Sequence, residues 1–419
     1  MTREMKYSGV EWIGDIPREW DIIKAKYIFT NHKEIVGNRE KDFERLSLTL
    51  NGVLKRPKDD SKGLQSDSLS TYQILYQNEL VFKMIDLENT STSRVGYSPY
   101  TGLVSPVYII FNNKEYSRYG YWYFYNLWQR NIYNTLGNNG VRSALNASDM
   151  LGLPFIKMPQ YEQKKIANFL DSKVSEIDKI ITETKSSIEN YKEYKQSVIT
   201  EAVTKGLDKN VPMKDSGIEW IGDIPTHWNV CKIKHILRQK SERGYPNEVV
   251  LSLYRDFGII PKDSRDDNHN VTSEDTSNYK FVDIGDFVIN KMKAWQGSMG
   301  ISEFRGIISP AYHVCYFIDK NINKKYFHYL LRNKLYLPEF RRLSSGIRLG
   351  QWDLSFEDFK NIDCIIPSVL EQQLIVDFLD KKCAEIDNII SEKEKLITSL
   401  EEYKKSLVYE YVTGKKAVE

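Results

Sequence analysis

The sequence predicts an α+β fold in which two similar mixed α/β domains are separated by two long helices that pair as an antiparallel coiled coil. Three observations lead to this prediction. The chain contains an internal pseudo-twofold duplication, each copy ends in a long heptad pattern, and short apolar runs fill the part between the repeated blocks. At 419 residues the chain is long enough for two or three domains.

The composition is typical of a globular protein that is not embedded in a membrane. Hydrophobic residues make up 41% and charged residues 28% of the chain, and no long apolar run predicts a membrane-spanning helix. The four cysteines form no C-x-x-C pair, which argues against a zinc site or a disulfide framework. We therefore expect a cytoplasmic protein without bound metal. The net charge of +2 does not by itself announce or exclude a nucleic-acid partner.

The duplication is clearest at the start and at the end of each half. KYSGVEWIGDIPREW at 6–20 and KDSGIEWIGDIPTHW at 214–228 are identical at eleven of fifteen positions. EQKKIANFLDSKVSEIDKII at 162–181 similarly matches EQQLIVDFLDKKCAEIDNII at 371–390. Each half thus has a lead-in, a variable part and a shared tail, which predicts one fold used twice.

This organisation predicts four segments. They are a first domain at 1–158, a central helix at 159–206, a second domain at 207–366 and a C-terminal helix at 367–419.

Each tail carries a 4-3 spacing of apolar residues over about four heptads, which is typical of a coiled-coil seam. The polar exceptions fall at matching positions, Thr184 with Lys393 and Lys195 with Lys404. The seam residues chosen from this pattern are Leu170, Ile177, Ile181, Ile188, Val198, Leu379, Ile386, Ile390, Ile397 and Leu407.

The ends of the two helices are also visible in the sequence. Ser368 and Glu371 have the spacing of a capping box at the start of the second tail, and Gly206 and Gly414 are expected to end the helices. A helix of roughly 44 residues is about 66 Å long. The two tails could pair with each other, although each could instead pack on its own domain or pair between chains.

The variable parts predict strands mixed with shorter helices. Leu80–Phe82, Ile109–Phe111 and Phe287–Ile289 are short β-prone runs, and 121–128 and 326–331 have matching aromatic helical patterns. We ascribe their aromatic residues to the core rather than to a stacking surface.

The motifs of common catalytic sites are missing. The chain has no phosphate-binding G-x-x-x-x-G-K-[ST] loop, no G-x-G-x-x-G and no H-E-x-x-H. Glu-x-Lys triplets lie on the predicted helices, where these residue types commonly face solvent. We therefore expect no catalytic residue and no metal ligand in this chain.

The lead-ins and tails together resemble specificity subunits of type I restriction-modification systems. Proline, Glu-Gln, Phe-Leu-Asp and Glu-Ile-Asp precede a long heptad helix, as in that family. The segments Gly9 to Trp20 and Gly217 to Trp228 are similar to the lead-in before each target recognition domain. The resemblance covers essentially the whole chain, and its motifs are specific in combination.

The resemblance implies that each target recognition domain reads one half of a bipartite double-stranded DNA site, and that the coiled coil sets the spacer between the halves. It implies two methyltransferase subunits that bring S-adenosylmethionine and two restriction/translocase subunits that bring ATP and Mg. This chain itself would hold no cofactor. The assembly would methylate adenine, or translocate and cut unmodified DNA.

Candidate DNA-binding residues are of two kinds. Arg142 and Arg348 occupy matching Gly-x-Arg loops, and the matching Lys83 and Lys291 each precede a methionine. Because these residues are shared by both halves, the lysines are more suited to phosphate than to sequence reading. An arginine can read guanine or hold phosphate, and a structural ion pair is the alternative for both loops.

Base-reading residues should lie where the halves differ. Arg94, Lys293 and Gln296 are the candidates, whereas Trp295 could simply be packed. Two other classes of protein remain open. One is a non-catalytic coiled-coil adaptor that binds proteins rather than DNA, and the other is a nuclease without a familiar motif.

Overall fold

The chain folds as two compact units. The computed structural model describes residues 3–57, 69–88, 92–113, 117–136, 144–254, 258–264, 275–346 and 352–418. Unit 1 joins Met1–Lys185 to Glu394–Glu419, whereas unit 2 is the continuous segment Ser186–Lys393. The boundary crosses both long helices, so each unit contains part of each of them.

Unit 1 contains short strands followed by helices. Its strands are β1 Met5–Tyr7, β2 Asp15–Pro17, β3 Asp21–Lys24, β4 Thr30–Asn31, β5 Arg45–Thr49, β6 Gly52–Arg56, β7 Gln73–Leu75, β8 Leu80–Phe82, β9 Val95–Tyr97, β10 Gly102–Val104, β11 Ile109–Asn112 and β12 Pro154–Lys157. Its helices are α1 Ser117–Gln129, α2 Ile132–Leu136, α3 Ala147–Gly152 and the start of α4 Gln160–Lys205.

Two four-stranded sheets form the centre of unit 1, with strand orders β6-β5-β10-β7 and β4-β11-β8-β9. The side chains of a strand alternate between faces. Val81 and Ile110 join the apolar cluster shared with the first sheet, whereas Leu80 and Phe82 join the cluster that includes α1. This two-sided burial explains why Leu80–Phe82 is apolar without interruption.

Unit 2 repeats this order of strands and helices. Its strands are β13 Met213–Asp215, β14 Asp223–Pro225, β15 Asn229–Lys232, β16 Leu237–Lys240, β17 Leu251–Tyr254, β18 Gly258–Pro261, β19 Lys280–Val282, β20 Phe287–Asn290, β21 Met299–Ile301, β22 Gly306–Ile308, β23 Tyr312–Phe317 and β24 Asp363–Ile366. Its helices are α5 Lys324–Leu331, α6 Leu337–Leu343, α7 Phe356–Phe359 and the start of α8 Val369–Val412.

The two units have the same topology. The sheet β16-β23-β20-β21 of unit 2 has the order of β4-β11-β8-β9 in unit 1. Four further strands pair as β17-β18 and β19-β22, and a parallel bridge between Val250 and Ile307 links these two pairs. Unit 1 has a single parallel pair, Leu103 with Arg45, at the matching place. The predicted duplication and α+β fold class are confirmed.

The long helices pair in antiparallel orientation within each unit. In unit 1, Lys404 on α8 binds Asp178 on α4 at 2.5 Å, and the rings of Phe169 and Tyr411 lie 4.3 Å apart. In unit 2, Lys195 on α4 binds Asp387 on α8 at 2.6 and 2.7 Å. The matching heptad positions Lys195 and Lys404 therefore form matching ion pairs, one in each unit.

The predicted seam is largely buried. Six of the ten seam residues are buried and belong to the apolar core: Leu170, Ile177, Ile181, Leu379, Ile386 and Leu407. Ile188 is also buried, and Val198, Ile390 and Ile397 are partly buried. None of the helices in the described ranges has the length and apolarity needed to cross a membrane.

The lead-in tryptophans hold the start of each long helix. Trp20 and Trp228 are fully buried, and their indole N–H groups donate to Glu162 at 3.1 Å and Glu371 at 3.0 Å. A buried indole N–H needs an acceptor. The Glu of each Glu-Gln pair supplies it, and so fixes the lead-in against the helix.

Only one of the two hydrogen bonds of the predicted capping box at Ser368 and Glu371 forms. The backbone N–H of Glu371 does donate to Ser368 Oγ at 3.3 Å. The Glu371 carboxylate, however, contacts Trp228 Nε1 and His227 Nε2, at 3.0 and 2.9 Å, instead of turning back to the backbone of Ser368.

The aspartate of each Phe-Leu-Asp motif holds the first helix of its domain. Asp171 accepts from Trp122 Nε1 at 2.7 Å, and Asp380 accepts from the Tyr329 hydroxyl at 2.7 Å. Burial, together with this hydrogen bond, raises the pKa of Tyr329. The tail motifs thus attach each domain to its long helix.

Burial of His328 on α5 predicts that unit 2 loses stability in acid. Burial lowers the pKa of His328 from 6.5 to about 3. Below pH 6.5 the unfolded chain gains a proton that the folded unit does not, so the stabilisation is complete above pH 6.5 and is lost as the pH falls towards 3. At pH 5 the loss due to His328 is about 2 kcal/mol.

The test compares the free energy of unfolding at pH 7 and pH 5 for the full chain and for His328→Gln. We expect the variant to lose about 2 kcal/mol less on acidification. His235→Gln is the matched control, because His235 is exposed in the same unit. An equal acid loss in all three proteins would contradict the assignment.

Candidate nucleic-acid interface

Matching turns that begin with a lysine follow the central strand of each unit. In unit 1 the turn begins with Lys83 after β8, and in unit 2 with Lys291 after β20. Both side chains are partly buried. Lys83 Nζ donates to Thr92 Oγ1 at 3.1 Å, and burial, with Arg94 nearby, lowers the pKa of Lys83.

Each lysine turn is joined to the chain just after the matching Gly-x-Arg loop. The N–H of Leu145 donates to Met84 O at 3.0 Å, and the N–H of Leu354 donates to Lys291 O at 3.1 Å. In unit 2 the base of the loop is closed by Ser345 and Asp353, which exchange backbone hydrogen bonds of 3.1 and 2.8 Å. The same connection is therefore built twice.

The two arginines of the Gly-x-Arg loops, Arg142 and Arg348, lie outside the described residues, so their roles stay predictions. What the structure shows is that the chain leaving each loop returns to the lysine turn of its own unit, at Leu145 and at Leu354. The pairing of these two motifs in the sequence therefore has a structural basis at the ends of the loops.

Arg94 occupies a buried position rather than a surface one. Only 1% of the residue is exposed, and its guanidinium donates to the backbone carbonyls of Lys83, Ile85 and Asp86. Asp86 has a φ of 55°, a conformation that non-glycine residues seldom adopt. In this conformation Arg94 supports the turn that carries Lys83. Its predicted base contact would require the guanidinium to leave these carbonyls.

The lysine turn of unit 2 is a short 3-10 helix, Lys291–Gln296. The Asn290 side chain accepts from Met292 N at 3.1 Å, and Gly297 ends the helix with a φ of 79°. Lys293 is exposed and Gln296 is partly buried. Both residues predicted to contact bases are therefore at least partly exposed on the surface of unit 2.

Several positive charges lie close together near this turn. Lys280 Nζ donates to Tyr312 O at 2.6 Å, and burial, with Lys291 and Arg243 nearby, lowers the pKa of Lys280. Burial also lowers the pKa of His313, and the nearby positive charges of Lys280 and Lys291 lower it further. Such a concentration of cationic groups attracts an anion such as a DNA phosphate.

A cavity opens beside the lysine turn in each unit. In unit 1 a cavity of about 480 Å³ includes Lys33, Ile85 and Leu145 in its lining. In unit 2 a cavity of about 550 Å³ is lined by Trp295, Gln296, Lys334, Leu337, Pro338 and Arg341.

The structure also brings together three residues whose proximity no sequence pattern indicated. Trp295 faces Trp352, with ring centroids 5.3 Å apart, and the Arg341 guanidinium lies 5.3 Å from the centroid of Trp352. These three residues come from the lysine turn, from α6 and from the segment after the Gly-x-Arg loop. They share no spacing in the sequence, so only the fold assembles them.

The chain thus contains two copies of one fold, each with a lysine turn and each built on paired long helices. Comparison with known proteins shows what the chain is similar to. Residues 225–402 match the sequence model of the type I restriction modification DNA specificity domain. This match, together with the relatives described next, supports a specificity subunit of a type I restriction-modification system.

Two specificity subunits are similar to this chain in sequence. The putative type I restriction enzyme MjaX specificity subunit of Methanocaldococcus jannaschii is 23% identical over 96% of this chain and 95% of its own length. The MjaVIII specificity subunit of the same organism is 28% identical over 61% of this chain and 60% of its own length.

Two solved structures share the fold. A chain from a structure on complex assembly and conformational transition of the type I R-M system has a TM-score of 0.67 at 10% identity, covering 96% of this chain and 99% of that one. The HsdS subunit from Thermoanaerobacter tengcongensis has a TM-score of 0.51 at 12% identity, covering 96% and 98%.

Proposed function

We propose that this chain reads a bipartite DNA site, with one half-site for each target recognition domain and a spacer set by the paired helices. It would act within a complex of two methyltransferase subunits and two restriction/translocase subunits, as a non-catalytic component. S-adenosylmethionine, ATP and Mg would be bound by those partners, and none of them by this chain.

The observation that carries the proposal is the repeated connection between the lysine turn and the segment that follows the Gly-x-Arg loop, made by hydrogen bonds of 3.0 Å at Leu145 and 3.1 Å at Leu354. In each unit the cationic turn thereby lies beside the residue at which the chain resumes after the Gly-x-Arg segment. Lysine can bind DNA phosphates without regard to sequence, which positions a domain on the duplex.

Sequence reading would then come from residues that differ between the units. In unit 2, Lys293 and Gln296 extend from the lysine turn, whereas the matching part of unit 1 contains Asp86 and Glu88. Different side chains on a shared fold allow two unlike half-sites to be recognised by one chain.

The experiment is base-resolved mapping of methylated adenine in DNA from cells that express this chain with its methyltransferase partner, compared with cells that lack only this chain. A split motif with a fixed gap, present only with the chain, is expected. A continuous motif would contradict the bipartite reading. Absence of chain-dependent methylation from an assembled complex would favour the protein-binding adaptor.

A further inference from the structure

The lining of the cavity of unit 2 includes Trp295 and Arg341, and both of these residues contact Trp352. We call Trp295, Trp352 and Arg341 the tryptophan cluster. The Trp295 indole N–H donates to Met292 O at 3.2 Å, so the ring is held by the lysine turn. Trp352 meets it with an angle of 60° between the rings. The Arg341 guanidinium lies over the ring of Trp352, 5.3 Å from its centroid.

Arg341 differs from its neighbour Arg342 in what it binds. Arg342 donates to both carboxylate oxygens of Glu339, at 2.6 and 2.7 Å. The exposed Arg341 side chain has no hydrogen bond or ion pair among the described residues, and its contact is with the face of Trp352. Its N–H donors are therefore available while an indole limits the orientation of its plane.

The surroundings of Arg341 suit a polyanion. Within the described part of the chain, the lining of the cavity includes Lys334 and contains no Asp or Glu. Lys293, on the same lysine turn as Trp295, is exposed. The lysines supply point charges for phosphates, whereas the planar guanidinium of Arg341, which lies over the Trp352 ring, offers paired donors.

The tryptophan of the lysine turn, Trp295, is found in only one half of the chain. Aligning Lys83-Met84 with Lys291-Met292 places Leu87 and Glu88 opposite Trp295 and Gln296. Leu87 is buried in the core of unit 1. A residue that distinguishes one half-site from the other must lie where the two units differ, and this position meets that requirement.

We propose that Arg341 reads a guanine in the half-site of the second target recognition domain, and that Trp352 is its positioning residue. This proposal rests on the proposed function of the chain in DNA recognition. Guanine presents two acceptors, O6 and N7, in the major groove, and the parallel donors of arginine match them. Stacking on Trp352 would reduce the conformational entropy lost when both hydrogen bonds form.

The test maps methylated adenines in cells that express the full chain with its methyltransferase partner. Arg341→Ala is expected to relax the motif at one G·C position of one half-site, with a loss of at least about tenfold in preference for guanine there. Arg341→Lys is expected to relax the same position, because lysine keeps the charge without the planar fork.

Arg342→Ala is the matched control. It removes a neighbouring arginine that is already paired with Glu339, so the motif is expected to stay as in the wild type. For the positioning residue, Trp352→Phe is expected to keep the guanine preference and Trp352→Ala to weaken it at the same position. If Arg341→Ala fails to accumulate, Arg341→Lys carries the test.

Two outcomes would overturn the proposal while leaving the proposed function intact. In one, the Arg341 variants reduce methylation equally at all sites with an unchanged motif, which is the result for a phosphate contact. In the other, they change nothing. Failure of the proposed function is distinguishable, since the wild-type chain would then produce no split motif of its own.

Discussion

Inserting four residues after Ile188 is expected to change the spacer of the recognised site or to prevent assembly of the complex. The insertion falls between two positions of α4 that are held separately, Asp178 in unit 1 and Lys195 in unit 2. Four residues add about 6 Å and about 40° of rotation to a helix. They also shift the phase of the heptad pattern.

The control adds seven residues after Ile188 and seven after Ile397, its counterpart in the second tail. Whole heptads preserve the seam in both helices, so this variant is expected to assemble and to recognise a longer spacer. Co-purification with the methyltransferase reports assembly, and methylated-adenine mapping reports the spacer. An unchanged spacer in an active four-residue variant would show that the helices do not set it.

Gly414→Ala is expected to destabilise unit 1 by about 3 kcal/mol. Gly414 follows the end of α8 with a φ of 71°, a conformation that favours glycine. A Cβ at this position would lie 2.6 Å from Pro17 and 2.7 Å from Trp20. Trp20 is fully buried and bound to Glu162, so the ring has little room to move.

The variant Gly9→Ala separates the cost of the backbone conformation from the cost of the steric clash. Gly9 has a similar φ of 77°, but nothing lies within 4 Å of the added Cβ. It should therefore show only the backbone cost, about 1 kcal/mol. The measurement is the free energy of unfolding of each full-length variant. Equal losses would mean that the close approach of Gly414 to Pro17 and Trp20 does not contribute.

The sequence predicted the parts of the fold that depend on local periodicity and on duplication. The heptad pattern predicted α4 and α8 and the burial of residues such as Leu170 and Leu379. Runs that are apolar throughout, such as Leu80–Phe82, predicted central strands correctly. These features are visible in a sequence because each depends on the spacing of neighbouring residues.

Contacts between distant segments could not be predicted in the same way. The partners of Lys195 and Lys404 are aspartates 192 and 226 residues away in the chain. The Glu-Ile-Asp block contains both aspartates, so the duplication carried a signal that pattern analysis left unused. A periodicity shows which residues share a face, but it does not show which residue of another helix lies opposite.

The candidate site likewise combines residues that the sequence pattern identified with residues that only tertiary packing brings together. Lys83 and Lys291 were found because they recur in both halves, and the structure ties each turn to the end of the matching loop. Arg94 was chosen for its charge, but the fold surrounds it with three backbone carbonyls. Arg341 was missed because its proximity to Trp352 depends on tertiary packing.

The measurement that tests the central claim most directly is the methylation motif of a chain whose two recognition domains are the same. Residues 229–366 would replace residues 21–157, between the matching strands β15 and β24 in unit 2 and β3 and β12 in unit 1. If each domain reads one half-site, the motif should become a split palindrome that contains the second half-site and its reverse complement. An asymmetric motif that retains the original first half-site, from an assembled complex, would contradict the account.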